Sequence, residues 1–175
     1  MLIEKIKDAV REPEAVSVLT RQDLMEGFPH KGIALVASVA RIVDGEAEFT
    51  LLPGEFPTYC AGHPWRFPGH WLTEMACQVA GLQAFYRLYQ SIGEGASEYG
   101  ISLLIRNGDW ADKPLDTDPN SDEPIVALVM ASSFRLATKM GMTSYWADVE
   151  FCQGDKTARY EGIRVVLKRS ADNNG

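Results

Sequence analysis

Apolar positions alternate with polar ones in two different rhythms along this chain. Leu2, Ile3, Ile6 and Val10 recur at helical spacing, predicting a short amphipathic helix over residues 1–12, closed by Pro13. Thr20, followed by Arg-Gln-Asp-Leu-Met-Glu, predicts a second short helix with Thr20 as its cap and Gly27 as its end. The rhythm then shortens. Residues 33–43 and 46–52 read as strands, and Asp44-Gly45 between them is a two-residue hairpin signal. Residues 53–69 hold four of the nine prolines and three glycines, predicting an irregular loop.

The longest apolar segment runs from Trp71 to Ile92 without a proline. Its length and its Leu, Met, Ala and Gln content favour helix over strand. Apolar residues occupy nearly every side of that helix, so it has to be buried among other elements. A glycine-rich stretch at 93–100 leads to strands expected over 101–106, 125–136, 143–152 and 157–168. Few helices and clustered strands predict an α+β fold with an antiparallel sheet wrapped around the long central helix.

Composition adds little to that picture, except in one place. The chain has 175 residues, 46% of them hydrophobic, which suits one folded domain spanning 1–175. The formal charge is −7, and a sequence pI near 5.0 argues against non-specific nucleic-acid binding. Residues 109–123 hold six acids (Asp109, Asp112, Asp116, Asp118, Asp122, Glu123) and one base, Lys113. Their net −5 therefore belongs to a turn-rich surface loop, read as an insertion over 107–124. Residues 1–19 read as an N-terminal extension. The cysteines at 60, 77 and 152 form no CxxC pair, and reduced thiols in a cytoplasmic protein are expected. No apolar run reaches the ~18–20 residues of a membrane span, and the first residues lack a secretory signal's unbroken apolar stretch.

Glu74 needs an explanation. It is the sole charged residue between Trp71 and Tyr86. Burial would raise its carboxyl pKa and poise it for proton transfer; alternatively, it lies near the helix start, where the dipole favours negative charge. His70 stands four residues earlier on the same helical face. Pro68-Gly69 precedes the helix, so the free N–H groups of its first turn can polarise an acyl carbonyl. Cys60 would need a neighbouring base to act as a nucleophile. Cys60, His63 and His70 show no recognised zinc spacing, and neither metal nor cofactor is expected.

Phe28-Pro-His30, the Asp44-Gly45 hairpin and Pro68-Gly-His-Trp-Leu-Thr-Glu-Met-Ala-Cys-Gln-Val-Ala-Gly81 together resemble the 3-hydroxyacyl-acyl-carrier-protein dehydratases. The resemblance covers roughly 20–168, is strongest at 56–86, and extends to Ser133-Phe-Arg135 and Met140-Gly141. It implies a hotdog fold, a homodimer and a catalytic His-plus-acid pair meeting across the dimer interface. Gly69 would then bind the thioester carbonyl, His63 would remove the α-proton, and Glu74 would protonate the departing hydroxyl. Trp65, Phe67 and His70 would line an acyl pocket, with Trp71 packed in the core. The family's His lies fourteen residues before the acid, a position held here by Cys60. His63 reaches it only if three loop residues are deleted.

Three functions follow as expectations. The first is dehydration of 3-hydroxyacyl thioesters carried by acyl carrier protein or coenzyme A. The second is thioester hydrolysis, with Glu74 activating water. The third is a non-catalytic acyl-binding or assembly subunit. An acidic carrier protein would need a basic patch, for which Lys31, Arg66, Arg135 and Lys139 are candidates. Neither nucleic acid nor membrane is expected as a partner.

Overall fold

The structure is a computed structural model that describes residues 2–27, 37–53, 55, 69–102, 108–118, 121–130, 135–139 and 142–169. Its first helix, α1 (Leu2–Arg11), buries Leu2, Ile6 and Ala9. Those positions span a narrow stripe at 100° per residue. Ile3 falls about 100° from Leu2 on the helical wheel and is 38% exposed, against the expectation that it shares the buried side. The stripe packs on the central helix, and Leu2, Ile6, Ala9 and Leu19 belong to the hydrophobic core.

A four-residue strand, β1 (Ser17–Thr20), follows where no element was anticipated. It pairs antiparallel with the next strand, Ser17 opposite Ile42 and Thr20 opposite Val39. Lys5 Nζ donates to the Val18 carbonyl at 3.0 Å, covering part of this sheet edge. Helix α2 (Arg21–Gly27) begins as expected at Thr20. The Asp23 amide donates to Thr20 Oγ1 at 3.3 Å, and Asp23 Oδ2 accepts from Thr20 N at 2.8 Å. That reciprocal pair is a capping box. Lys5 joins it at 2.7 Å from Asp23 Oδ2. Burial pushes the Asp23 carboxyl pKa up, but the bonds from Lys5 and Thr20 outweigh it and hold the group below the ordinary carboxylate value.

Strands β2 (Val39–Val43) and β3 (Glu46–Leu51) form the expected hairpin. Asp44 and Gly45 have φ of 51° and 76°, the left-handed pair that matches strand twist in a two-residue turn. Strand β2 begins at Val39, not at 33; residues 33–36 lie outside the described residues. Helix α3 (Gly69–Ile92) is the long helix expected from the apolar segment. Gly93 turns the chain at φ 58° into a 3-10 helix, Gly93–Glu98, and β4 (Tyr99–Ser102) follows.

The remaining strands are β5 (Asp109–Trp110), β6 (Ile125–Val129), β7 (Arg135–Lys139), β8 (Met142–Gln153) and β9 (Lys156–Arg169). The single strand expected over 125–136 is thus two. Strand β6 stops at Val129, and β7 pairs with β8 further along. The antiparallel sheet runs β1-β2-β3-β6-β8-β9-β4, with β5 beside β9 and β7 beside β8. One side of it packs on α3 through β3, β6, β8 and β9. Phe49, Val129, Val149, Phe151, Ile163 and Leu167, all buried, form that side with their neighbours of the same parity. A bulge between Ala147 and Val149 would turn the following residues outward. Gly162, at φ 74°, donates its N–H to Asp148 Oδ1 at 2.8 Å and absorbs the extra residue. Among the described residues no helix is long and apolar enough to cross a membrane.

The acidic segment is exposed at Asp112, Asp116, Asp118, Asp122 and Glu123, as expected of a surface loop. It is nevertheless tied down. Asp109 and Trp110 pair with β9, and Leu115 and Thr117 are buried. The buried Gln153 side chain accepts from Asp118 N at 2.8 Å and donates to the carbonyls of Asp118 and Glu123 at 3.0 and 3.2 Å.

Candidate active site

The first turns of α3 hold the residues singled out from the sequence. Helix α3 starts at Gly69, so the amides of its first turn have no partner within the helix. Glu74 stands in the second turn. It is half-buried, with buried Met75, Ala76 and Cys77 following it. This setting is intermediate between the buried carboxyl and the helix-start carboxyl that the sequence left open.

Gln78, one turn on and fully buried, donates from Nε2 to Glu74 Oε1 at 2.8 Å. The spacing of four on one helix makes this geometry available. A buried amide turned toward a carboxylate sets which way the carboxylate faces.

On the adjacent stripe of α3, Thr73 and Cys77 face β9. The Thr73 side chain hydrogen-bonds Tyr160, whose hydroxyl donates to the Gly108 carbonyl at 2.6 Å. Burial raises the Tyr160 pKa, and the neighbouring Cys77 and Asp109 add to the rise. Tyr160 therefore stays a neutral phenol near neutral pH. Trp110 closes this corner, its ring centroid 5.1 Å from Tyr160 and 5.5 Å from Phe151. Cys77 is 1% exposed, a packed thiol.

Further along, Gln83 Oε1 accepts from Ala47 N at 2.6 Å, and Gln83 Nε2 donates to Gly45 O at 2.9 Å. The helix bearing Glu74 is thereby fastened to the β2–β3 turn. Trp71 is 6% exposed, in line with core packing.

Cys60, His63, Trp65 and Phe67 lie outside the described residues, as do the side chain of His70 and the basic residues Lys31 and Arg66. Their relation to Glu74 is thus not part of the described geometry. Among the described residues no group of His, Cys, Asp and Glu could hold a metal ion.

Gln78, Thr73 and Tyr160 were not marked by sequence reasoning as site residues. Gln78 had a signal, a polar residue four positions after Glu74 in an apolar run. Tyr160 had none, because it is distant in the chain and only sheet closure brings it to α3. No protein-family model matches the sequence, and no curated protein does.

Proposed function

We propose that the chain is a hotdog-type enzyme that dehydrates 3-hydroxyacyl thioesters, carried by acyl carrier protein or coenzyme A, to enoyl thioesters. The observation that carries this reading is Glu74. It is the only charge between Trp71 and Tyr86, it is half-buried, and its carboxylate is held by the buried amide of Gln78. A helix packed this fully against a sheet has no need of a carboxylate for its stability.

In the proposed reaction the thioester carbonyl rests on the Gly69 amide, where the helix start stabilises the enolate-like oxygen. His63 takes the α-proton. The electron pair forms the α,β double bond as the C3–O bond breaks, and Glu74 delivers the proton with which hydroxide leaves as water. His63 would come from a partner copy in a homodimer, as the resemblance implies. Trp65, Phe67 and His70 would line the acyl pocket.

A second reading, thioester hydrolysis, is favoured by the partial exposure of Glu74, which lets water reach the carboxylate. One experiment separates these readings and the non-catalytic one. The protein is incubated with 3-hydroxyacyl and with saturated acyl thioesters, and enoyl absorbance and free thiol are followed separately. Enoyl product that disappears in Glu74→Gln and in His63→Ala supports dehydration. Free thiol that survives His63→Ala supports hydrolysis. Neither product above a Glu74→Ala control overturns both enzymatic readings for those substrates.

A further inference from the structure

Thr73 stands four residues after Gly69 on α3. Its amide is therefore the one that closes the first helical turn onto the Gly69 carbonyl. Side chains on a helix lean toward its N-terminus, so the Thr73 hydroxyl lies over that same turn. A threonine inside a helix can turn its hydroxyl back onto the carbonyl four residues earlier, and that second bond bends the helix. For Thr73 the carbonyl in question is that of Gly69, the residue whose amide would receive the thioester oxygen. Glu74 follows Thr73 directly, so whatever places Thr73 also places the backbone that bears the carboxylate.

Tyr160 on β9 offers the Thr73 hydroxyl another acceptor. The two side chains are hydrogen-bonded. A phenol has one proton, and Tyr160 commits it to the Gly108 carbonyl at 2.6 Å. The Tyr160 oxygen therefore accepts and Thr73 donates. The Thr73 proton is drawn toward the sheet, which leaves the Gly69 carbonyl to the helix alone.

Tyr160 is itself fixed from several directions. Within the sheet it stands between Val149 of β8 and Trp110 of β5. The Trp110 ring meets it edge-on, at an interplanar angle of 72°. The Ala111 amide donates to the neighbouring Arg159 carbonyl at 2.9 Å, so residues 108–111 form a strap laid along β9. At Gly108 an added Cβ would stand 2.9 Å from Tyr160 Cδ1, and the strap comes this close because glycine has none. A ring that is 5% exposed and braced in this way presents its oxygen to α3 at one fixed point.

We propose that Tyr160 is a positioning residue, which through Thr73 keeps the first turn of α3 straight and so sets the Gly69 amide and Glu74 where a bound thioester needs them. The role rests on the dehydration reading of Gly69 and Glu74. Tyr160 acts through Thr73 and not on the reacting atoms. Without its hydroxyl, the Thr73 proton turns to the Gly69 carbonyl and the turn bends. A displacement of about 1 Å at a reacting centre can cost on the order of 100-fold in rate.

The test uses the full chain and three variants. Tyr160→Phe keeps the ring and removes the hydroxyl; Gly108 is half-exposed, so water can take over its carbonyl. Thr73→Val removes the other end of the bond at nearly constant volume, and Thr73→Ser keeps the hydroxyl. With a 3-hydroxyacyl thioester, Tyr160→Phe and Thr73→Val should each lower kcat about 10- to 100-fold and leave KM within about twofold. Thr73→Ser should stay within about threefold of the parent. The double substitution should fall no further than the lower single, because both remove one bond. Hydrogen exchange at the start of α3, read by mass spectrometry, is independent of activity. It should be about fivefold faster in Tyr160→Phe and Thr73→Val, the worth of one neutral hydrogen bond, and unchanged in Thr73→Ser. Circular dichroism checks that each variant folds. An active parent whose Tyr160→Phe keeps its kcat, a Thr73→Ser as slow as Thr73→Val, or unaltered exchange overturns the positioning role and leaves the dehydration reading standing. A parent that forms no enoyl product overturns that reading and the role with it.

Discussion

Replacing Gln83 by methionine should loosen the attachment of α3 to the β2–β3 hairpin. Methionine fills nearly the same volume, so the core has little cavity to close. What it removes is two hydrogen bonds, from Ala47 N at 2.6 Å and to Gly45 O at 2.9 Å. Gln83 is 1% exposed, Ala47 is fully buried, and Gly45 is buried as well. Water cannot replace the lost partner without opening the turn. A buried polar group left unpaired costs roughly 1–3 kcal/mol, so the two together cost about 2–6 kcal/mol. A domain of this size is stable by about 5–15 kcal/mol in all, and its Tm moves by about 2–4 °C per kcal/mol. The expected fall is therefore at least about 4 °C. Urea unfolding followed by circular dichroism reads the free energy. Gln90→Met, on the exposed part of α3, serves as the comparison and should stay within about 0.5 kcal/mol. If Gln83→Met unfolds within that same margin, the clamp is not what fastens the hairpin and the reasoning fails.

Three further outcomes are expected. Gln78→Leu removes one bond to a carboxylate, worth about 1.5–3 kcal/mol. If Glu74 transfers the proton, kcat should fall roughly 10- to 150-fold with little change in KM; an unchanged kcat would show that Gln78 does not orient it. Asp23 has a folded-state pKa below its ordinary 3.8, so the unfolded chain takes up the proton first as pH falls. Its contribution is therefore present above pH 3.8 and lost on acidification, and the stability gap between the parent and Asp23→Asn should be flat above about pH 5 and shrink below it. Gly108→Ala would set a Cβ 2.8 Å from the Glu161 carbonyl oxygen and against the Tyr160 ring. It should cost about 1–3 kcal/mol and shift the Trp110 fluorescence to the red as the strap lifts; an unshifted spectrum would mean that the strap accommodates the methyl in place.

The interaction range of each feature decided how readable it was. The Asp44-Gly45 turn needs two residues with positive φ, and few sequences other than Asn-Gly or Asp-Gly supply them cheaply. The Thr20 cap was legible because Thr20 and Asp23 satisfy each other three residues apart. Helix α3 was legible because a long apolar segment with a glutamate, three glutamines and no proline has few alternatives. Glu74 was conspicuous for the same reason, standing alone against an apolar background.

Strand β1 escaped because four residues carry too short a rhythm, and its place depends on β2 beside it. The split between β6 and β7 escaped for a similar reason. Both halves look like strand, and only the pairing of Met130 N with Asp148 O shows where the first one leaves the ladder. The acidic segment read correctly as surface, yet its anchoring by Gln153, Leu115 and Trp110 comes from residues on other strands.

The sequence by itself determined the local elements, the buried central helix and the one carboxylate that stands out on it. Tertiary structure alone decided what surrounds that carboxylate. Gln78 was within reach of local reasoning, four positions along one helix. Tyr160 and Gly108 were not, because they join segments whose closeness is set by strand register, and register is a property of the whole sheet.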